Sequence, residues 1–293
     1  MSPKNFMQVY IICVPAGEVN VLSAVALLQR KLIDTYNELL GTILRKCEDA
    51  FGHTPSPRIC MIDFELAAFN ALNNVIGDDT EIKGCFYHLT QSTWRKIQEL
   101  GLVNLYKEQD EFRHFCGMLE GLAFLPLEDV EDGMTHIRRI APAVANDLID
   151  YFDTTYVTGP YRNVRAPDGA IHLRRGQSTF PPKLWNVHET TLGGDPRTNN
   201  VCEAWNNKFT HMVGHTHPTV LKFIKNLQLE EQSVRNVLAQ NAIGNQPRKR
   251  VRRAVQEHQR RLQNLCVDYI AERKTMEQFL RDIGHCIRIG NIM

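Results

Sequence analysis

The sequence has no apolar run long enough to cross a bilayer. Its longest nearly apolar stretch, Val19 to Leu28, is about ten residues and carries Asn20 and Ser23, whereas a spanning helix needs about 20. The first residues, Met-Ser-Pro-Lys-Asn-Phe, lack a signal-peptide apolar region with a small-residue cleavage site, which speaks against secretion. No Cys-x-x-Cys pair, Gly-x-Gly-x-x-Gly, P-loop, His-Glu-x-x-His or Gly-x-Ser-x-Gly occurs. The common nucleotide, zinc-protease and serine-hydrolase readings therefore have no support. The eight cysteines, Cys13, Cys47, Cys60, Cys85, Cys116, Cys202, Cys266 and Cys286, follow no framework spacing, so reduced thiols in cytosol or nucleus are expected. A strong excess of one charge is also missing: 34 Lys/Arg stand against 33 Asp/Glu.

What is present is an ordinary globular composition, 43% apolar and 23% charged over 293 residues, ample for a buried core. The near-zero net charge conceals an uneven distribution. From Lys208 to the end there are 15 Lys/Arg and 7 Asp/Glu, a net of +8 against −7 for residues 1–207. The excess is densest in Pro247-Arg-Lys-Arg-Val-Arg-Arg253, followed by Arg260 and Arg261. Arg248, Lys249, Arg250, Arg252, Arg253, Arg260 and Arg261 are the candidate DNA-binding residues, and the run also reads as a nuclear import signal. A solvated helix face is the other reading of the same charges.

The patterning predicts a β-hairpin from Phe6–Val14 and Val19–Leu28, then a helix over Lys31–Ala50 with Ile33, Tyr36, Leu39, Leu40, Ile43, Leu44 and Cys47 on one stripe. A short strand, Arg58–Ile62, ends on Asp63. Glu65–Val75 reads as a helix and Ile82–Tyr87 as another strand. Helical periods run from Leu89 to Asp153, and residues 154–194 read as a long connection. Helices are expected again near Asn199, over Pro218–Ala242 with Val220, Phe223, Leu227, Val234 and Leu238 on one side, and as one helix from Lys249 to Ile283. Strands followed by helical blocks give a mixed α/β fold with a helical insertion.

Three places could carry chemistry. Asp63, just past a buried strand, lies where open sheets bind ligands. With Glu65 it could offer hard oxygen donors to Mg²⁺, although an Asp there also serves as a helix N-cap. Glu203 shares a helical face with Asn206 and Asn207, which also fits a plain exposed face. Cys85 and His88 suit zinc by chemistry, but no second pair occurs at comparable spacing; His114, Cys116 or Cys202 could complete a set in space, and a buried Cys with a hydrogen-bonded His is the alternative.

Several separate blocks resemble the transposase domain of Mutator-like elements, the MULE family. They are Ile62-Asp-Phe-Glu-Leu-Ala-Ala68; Gly84-Cys-Phe-Tyr-His88 running on to Gln98, with Gly101-Leu102 and Tyr106; Leu122-Ala-Phe-Leu-Pro126; Phe180-Pro-Pro-Lys-Leu-Trp-Asn186; Arg197-Thr-Asn-Asn200 with Glu203, Trp205 and Asn206; and His217-Pro218. The likeness extends from Gln8 to about Glu231. It implies a ribonuclease H-like core with a helical insertion, an Asp-Asp-Glu set holding two Mg²⁺ or Mn²⁺ ions, and DNA cleavage and joining. By position, Asp63 matches the second Asp, Glu203 the Glu, and Cys85 with His88 the family's Cys-x-x-His.

The family's first catalytic Asp lies on a strand just before the segment matched by Gln8–Ile12, and none of the seven residues preceding Gln8 is acidic. The expectation is a transposase domain lacking its first core strand and inactive as written. The division expected is a partial core at 1–87, a helical insertion with a long loop at 88–195, core helices with Glu203 at 196–242, and a basic helical tail at 243–293. DNA is the expected partner, a homo-oligomer is left open, no membrane is involved, and the nucleus is the expected location. A non-enzymatic DNA-binding protein co-opted from such an element is the alternative.

Overall fold

The computed structural model describes residues 2–77, 79–165, 171–245 and 251–290. In chain order the elements are β1 (Gln8–Ala16), β2 (Val19–Leu28), α1 (Ile33–Phe51), β3 (Ile59–Ile62), α2 (Leu66–Val75), β4 (Glu81–Gly84), α3 (Phe86–Glu99), α4 (Val103–Glu108), α5 (Asp110–Gly121), α6 (Val130–Ile140) and α7 (Asn146–Phe152). They continue with β5 (Tyr161–Arg165), β6 (Ile171–Arg175), α8 (Pro182–Trp185), α9 (His188–Leu192), α10 (Asn200–Val213), α11 (Val220–Ala242), α12 (Arg253–Ile270) and α13 (Met276–Gly290). The fold is mixed α and β. Its strands among the described residues form three separate two-stranded sheets, β1–β2, β3–β4 and β5–β6.

The chain divides into two compact units. The first takes residues 1–60, 65–81 and 199–251, and the second takes 61–64, 82–198 and 252–293. Thus β3 and β4 each begin in the first unit and end in the second.

In the first unit, the two faces of the β1–β2 hairpin meet different helices, as the period-2 alternation of a strand dictates. Val9 and Ile11 point to the core made by Trp205, Phe209 and Val213 of α10 and Phe223 of α11. Tyr10, between them, packs edge-on against Tyr36 of α1 with ring centroids 5.4 Å apart. On β2, Leu22, Val25 and Leu27 all join the α10–α11 core, although Leu22 has the wrong parity for a regular strand. Cys13 pairs with Leu22 while Ile12 pairs with Ala24, leaving Ser23 as an extra residue. This bulge switches the parity and turns Leu22 inward.

Helix α10 buries Trp205, Phe209 and Val213 at four-residue intervals, with Trp205 stacked on Phe209 at 4.7 Å. The Thr219 hydroxyl accepts from Lys222 N to cap α11. Beyond its first turns α11 is mainly exposed. Val220 and Leu238, expected on its buried side, are 39% and 46% exposed, because the core seats only Phe223 and Leu227. The buried Glu230 answers the missing apolar contact with an ion pair to Lys208 at 2.6 Å.

The second unit is a helical assembly around Leu119, Leu122, Phe124, Phe152, Trp185, Leu280 and Ile283, all fully buried. Here two of the sequence blocks turn out to be packing partners. Trp185 Nε1 donates to Tyr156 O and Phe180 O at 2.9 and 3.1 Å. Asn186 Nδ2 donates to Leu125 O at 2.8 Å, and Val187 N donates to Ala123 O at 2.8 Å. The segment Phe180–Asn186 is therefore bonded onto Leu122–Pro126.

Helices α5 and α13 approach closely where glycines face the crossing. A Cβ on Gly117 would lie 2.5 Å from Gly284 O, one on Gly284 2.8 Å from Met118 N, and one on Gly121 2.5 Å from Ile283 Cγ2.

Three expectations need correcting. The strand at Ile82–Tyr87 ends at Gly84, and α3 begins at Phe86. The single helix expected over Lys249–Ile283 is two helices. Glu272 between them has φ 55°, and Thr275 and Gln278 exchange backbone-to-side-chain bonds at 3.0 and 3.3 Å, a capping box that starts α13. The connection over 154–194 is largely structured, containing β5, β6, α8 and α9.

Candidate functional site

The site is built where β3 and β4 end. Glu81 N donates to Arg58 O at 2.9 Å and Cys85 N to Ile62 O at 2.8 Å. Partner indices rise together along both strands, so the pair is parallel. Parallel neighbours finish at the same edge, and the residues that follow them, Asp63 and Cys85, emerge side by side. One helical turn into α3, His88 Nδ1 lies 3.1 Å from Asp63 Oδ1. The imidazole is 14% exposed and the carboxylate 53%, so the pair sits at a surface with its imidazole half sunk.

A third block reaches the same place. Phe86 N, at the start of α3, donates to Arg197 O at 3.0 Å. The Arg197 guanidinium lies over the Phe124 ring at 5.4 Å, and Phe86 packs edge-on against that ring at 5.1 Å. Burial pulls the Arg197 pKa below its ordinary value. Within the second unit, then, Asp63, Cys85 with His88, and Arg197 converge from three separated stretches of sequence. Arg197 stands in the sequence only as part of a block; its backbone bond to the head of α3 leaves no signal in the spacing.

Gly84 is a glycine for a reason of space. A Cβ there would lie 2.7 Å from the Phe64 ring. That ring cannot easily retreat, since it packs edge-on against Tyr156 at 5.5 Å and Phe180 at 5.2 Å. Gly84→Ala is expected to destabilise the protein by about 1–3 kcal/mol and to disturb Asp63 next to Phe64. A urea melt with an unchanged midpoint would count against this account.

The other candidates fall elsewhere. Helix α2 takes Glu65 as its N-cap residue, without a side-chain capping bond, so Asp63 is not the helix cap. Glu65 does not join Asp63 as a second oxygen donor. Its carboxylate accepts from Tyr36 Oη and pairs with Lys31 Nζ at 3.1 Å, all within the first unit. Burial, with Glu65 adding to it, raises the Tyr36 pKa above its ordinary value. Glu203 lies half-buried in the first turn of α10, in the first unit, so Asp63 and Glu203 belong to different units.

No zinc set forms around Cys85 and His88 among the described residues. Cys85 is fully buried at the start of α3. His114 Nε2 bonds to Arg281 O at 2.7 Å and its ring stacks on His285 at 3.7 Å. Cys116 is buried in α5, its thiol pushed up to about 12 by burial. Cys202 is hydrogen-bonded to Cys13 in the first unit.

Among the described residues no group of three His, Cys, Asp or Glu is placed to hold a metal ion. Asp63 offers one exposed hard-oxygen donor, which suits Mg²⁺ or Mn²⁺, and it pairs with the His88 imidazole. This donor set falls short of a two-metal site.

Of the basic run, Arg248, Lys249 and Arg250 lie outside the described residues. Arg252 is the N-cap residue of α12 and Arg253 its first residue. Positive side chains at a helix N-terminus oppose the helix dipole, which favours an anion there. Arg260 pairs with Glu257 at 2.7 Å and Arg261 approaches it at 3.8 Å, both arginines remaining more than 60% exposed. No helix of the described residues is long and apolar enough to cross a membrane.

No family model, curated protein or solved structure matches this chain.

Proposed function

We propose that the chain is a MULE-type transposase domain built on a ribonuclease H-like core, whose retained activity is binding duplex DNA. The observation that carries the reading is the convergence of Asp63, His88 and Arg197. Three sequence blocks singled out for their order along the chain meet at the carboxyl ends of two parallel strands, the edge at which open α/β sheets hold ligands. Metal-dependent strand cleavage and transfer is the chemistry of the family that the sequence resembles, with Asp63 and Glu203 at the positions of two of its acidic residues. The basic residues of 248–261 contact phosphates and serve as the nuclear import signal.

One observation favours the second reading, a co-opted DNA-binding protein without cleavage activity: among the described residues no three His, Cys, Asp or Glu are placed to hold a metal ion. Both readings meet in one assay. Purified protein incubated with supercoiled plasmid in Mg²⁺ or Mn²⁺ is expected to bind without nicking, and binding should weaken steeply with salt as phosphate contacts release counterions. Robust nicking, lost in Asp63→Ala and in Glu203→Ala, would establish an active enzyme and remove the second reading. Absence of any duplex binding would remove both.

A further inference from the structure

The β5–β6 ribbon lies outside every block that suggested a transposase, and its construction points to a partner. All ten of its strand residues are exposed. An isolated two-stranded ribbon is marginally stable in water, so one that buries neither face needs anchoring, and the anchor is visible at its base. Gly159 has φ 79°, and a Cβ there would lie 2.5 Å from Gly176 O. Gly176 N donates to Pro160 O at 2.8 Å and extends the ladder past the last strand pair. Arg175 bonds to Asp153 at 3.2 Å, and Arg138 bonds to the same carboxylate at 2.9 Å. The Arg175 guanidinium also covers the Tyr161 ring at 4.5 Å. Arg175 is thus occupied in fixing the ribbon to its helical support.

The rest of the ribbon is strongly cationic. Residues 161–175 carry four arginines, Arg162, Arg165, Arg174 and Arg175, against one acid, Asp168. Arg162 and Arg174 are directly cross-strand, an arrangement of like charges that destabilises a hairpin. The next pair on that face is Val164 opposite His172. The other face presents Leu173 beside Asn163 and Ile171 beside Arg165, with Ile171 and Leu173 each 64% exposed. Among the described residues Arg162, Arg165 and Arg174 form no ion pair. A projecting ribbon that keeps facing arginines, interleaved with apolar side chains, is complementary to a polyanion that also offers apolar edges.

We infer that the β5–β6 ribbon is a duplex-DNA-binding arm that enters the major groove, with Arg162, Arg165 and Arg174 as its contacts. This rests on the DNA-binding reading above and names a second contact surface, independent of the basic run at 248–261. The groove, about 12 Å wide, admits a two-stranded ribbon. Guanidinium groups pair with phosphates or guanine edges, and apolar side chains meet thymine methyls. Single-stranded DNA is a poorer match, because such binding uses a series of free aromatic platforms, whereas the described ribbon residues offer only Tyr161, with Arg175 over one face of its ring, and the imidazole of His172. Duplex RNA is also poorer, since its major groove is deep and narrow.

Fluorescence anisotropy with a labelled mixed-sequence DNA duplex between 50 and 200 mM salt tests the assignment. The full chain carries either Arg162→Ala, Arg165→Ala and Arg174→Ala together, or Arg252→Ala, Arg253→Ala, Arg260→Ala and Arg261→Ala together. The ribbon variant is expected to lose about tenfold or more in affinity, with the salt slope reduced by up to about 3. The three Arg→Lys replacements should restore most of that loss. Because these side chains are exposed, circular dichroism and thermal melting should match the parent. If the ribbon variant binds within twofold of the parent while the α12 variant does not, the arm is overturned and the DNA-binding reading stands. If the parent binds no duplex, both fall. Equal ribbon-dependent affinity for single strands or duplex RNA also overturns the arm.

Discussion

Gly117→Ala is expected to destabilise the second unit by about 3 kcal/mol or more, whereas Gly41→Ala should stabilise the first by about 1 kcal/mol. Each replaces a helix-interior glycine with the best helix former, which alone favours the alanine by about 1 kcal/mol. At Gly41 in α1 nothing opposes that gain, the nearest atom to a new Cβ being the mobile Arg45 Nη1 at 3.9 Å. At Gly117 the new Cβ would lie 2.5 Å from the Gly284 carbonyl oxygen, a backbone atom inside another helix. Neither helix can yield locally, so α5 and α13 must separate, and the packing around Leu119, Leu280 and Ile283 opens with them. Overpacking of this kind exceeds the propensity gain. Thermal and urea melts of both variants check the pair; two shifts of the same sign would refute the close-crossing account.

Arg288→Met is expected to be the most damaging change outside the glycines, and its cost should depend on pH. Arg288 Nη2 lies 2.9 Å from Glu120 Oε1, with Glu120 1% exposed. The second carboxylate oxygen has no hydrogen-bond partner among the described residues. Burial pushes the Glu120 carboxyl up to about 7, against the downward pull of Arg288. An acid raised on folding holds its proton in the native state where the unfolded chain has released it. The native state therefore binds more protons between about pH 4.5 and 7, and stability falls as pH rises through that window.

Without Arg288 the carboxyl rises further and the decline continues above pH 7. Breaking a buried pair costs about 3–5 kcal/mol, expected in full near pH 8. The loss should be much smaller near pH 5.5, where the native carboxyl is already neutral. Adding Glu120→Leu to Arg288→Met should recover most of the loss, since no buried charge then lacks a partner. A cost equal at both pH values would contradict this assignment.

The sequence made the mixed fold readable wherever one face of an element was buried. The hairpin, α1 and α11 show their periods because Val9, Tyr36 and Phe223 each have a core to face. The bulge at Ser23 left no trace, because a parity switch inside an almost wholly apolar run changes no visible pattern. The β5–β6 ribbon has the sequence of a loop for the converse reason: with neither face buried, its strands carry no hydrophobic alternation. The break between α12 and α13 was legible in Thr275-Met-Glu-Gln278, but the continuing apolar spacing masked the cap. At the site, Asp63 was legible as a strand-end acid. Its pairing with His88 was not, because that proximity depends on β3 and β4 running parallel. Glu65 looked like a partner of Asp63 by spacing alone, whereas the backbone turn into α2 delivers it to Tyr36 and Lys31.

The interleaving of the two units has a consequence for synthesis. The hairpin is complete by residue 28, but Trp205, Phe209 and Val213, which cover its Val9, Ile11 and Leu22 face, emerge only after the long segment 82–198. At translation rates of about 5–20 residues per second, that face waits on the order of ten seconds or more on the ribosome. The nascent chain thus exposes a sticky β surface while another unit folds in the middle of it. No contiguous gene fragment encodes either unit alone, so a shortened expression clone strands half of a core.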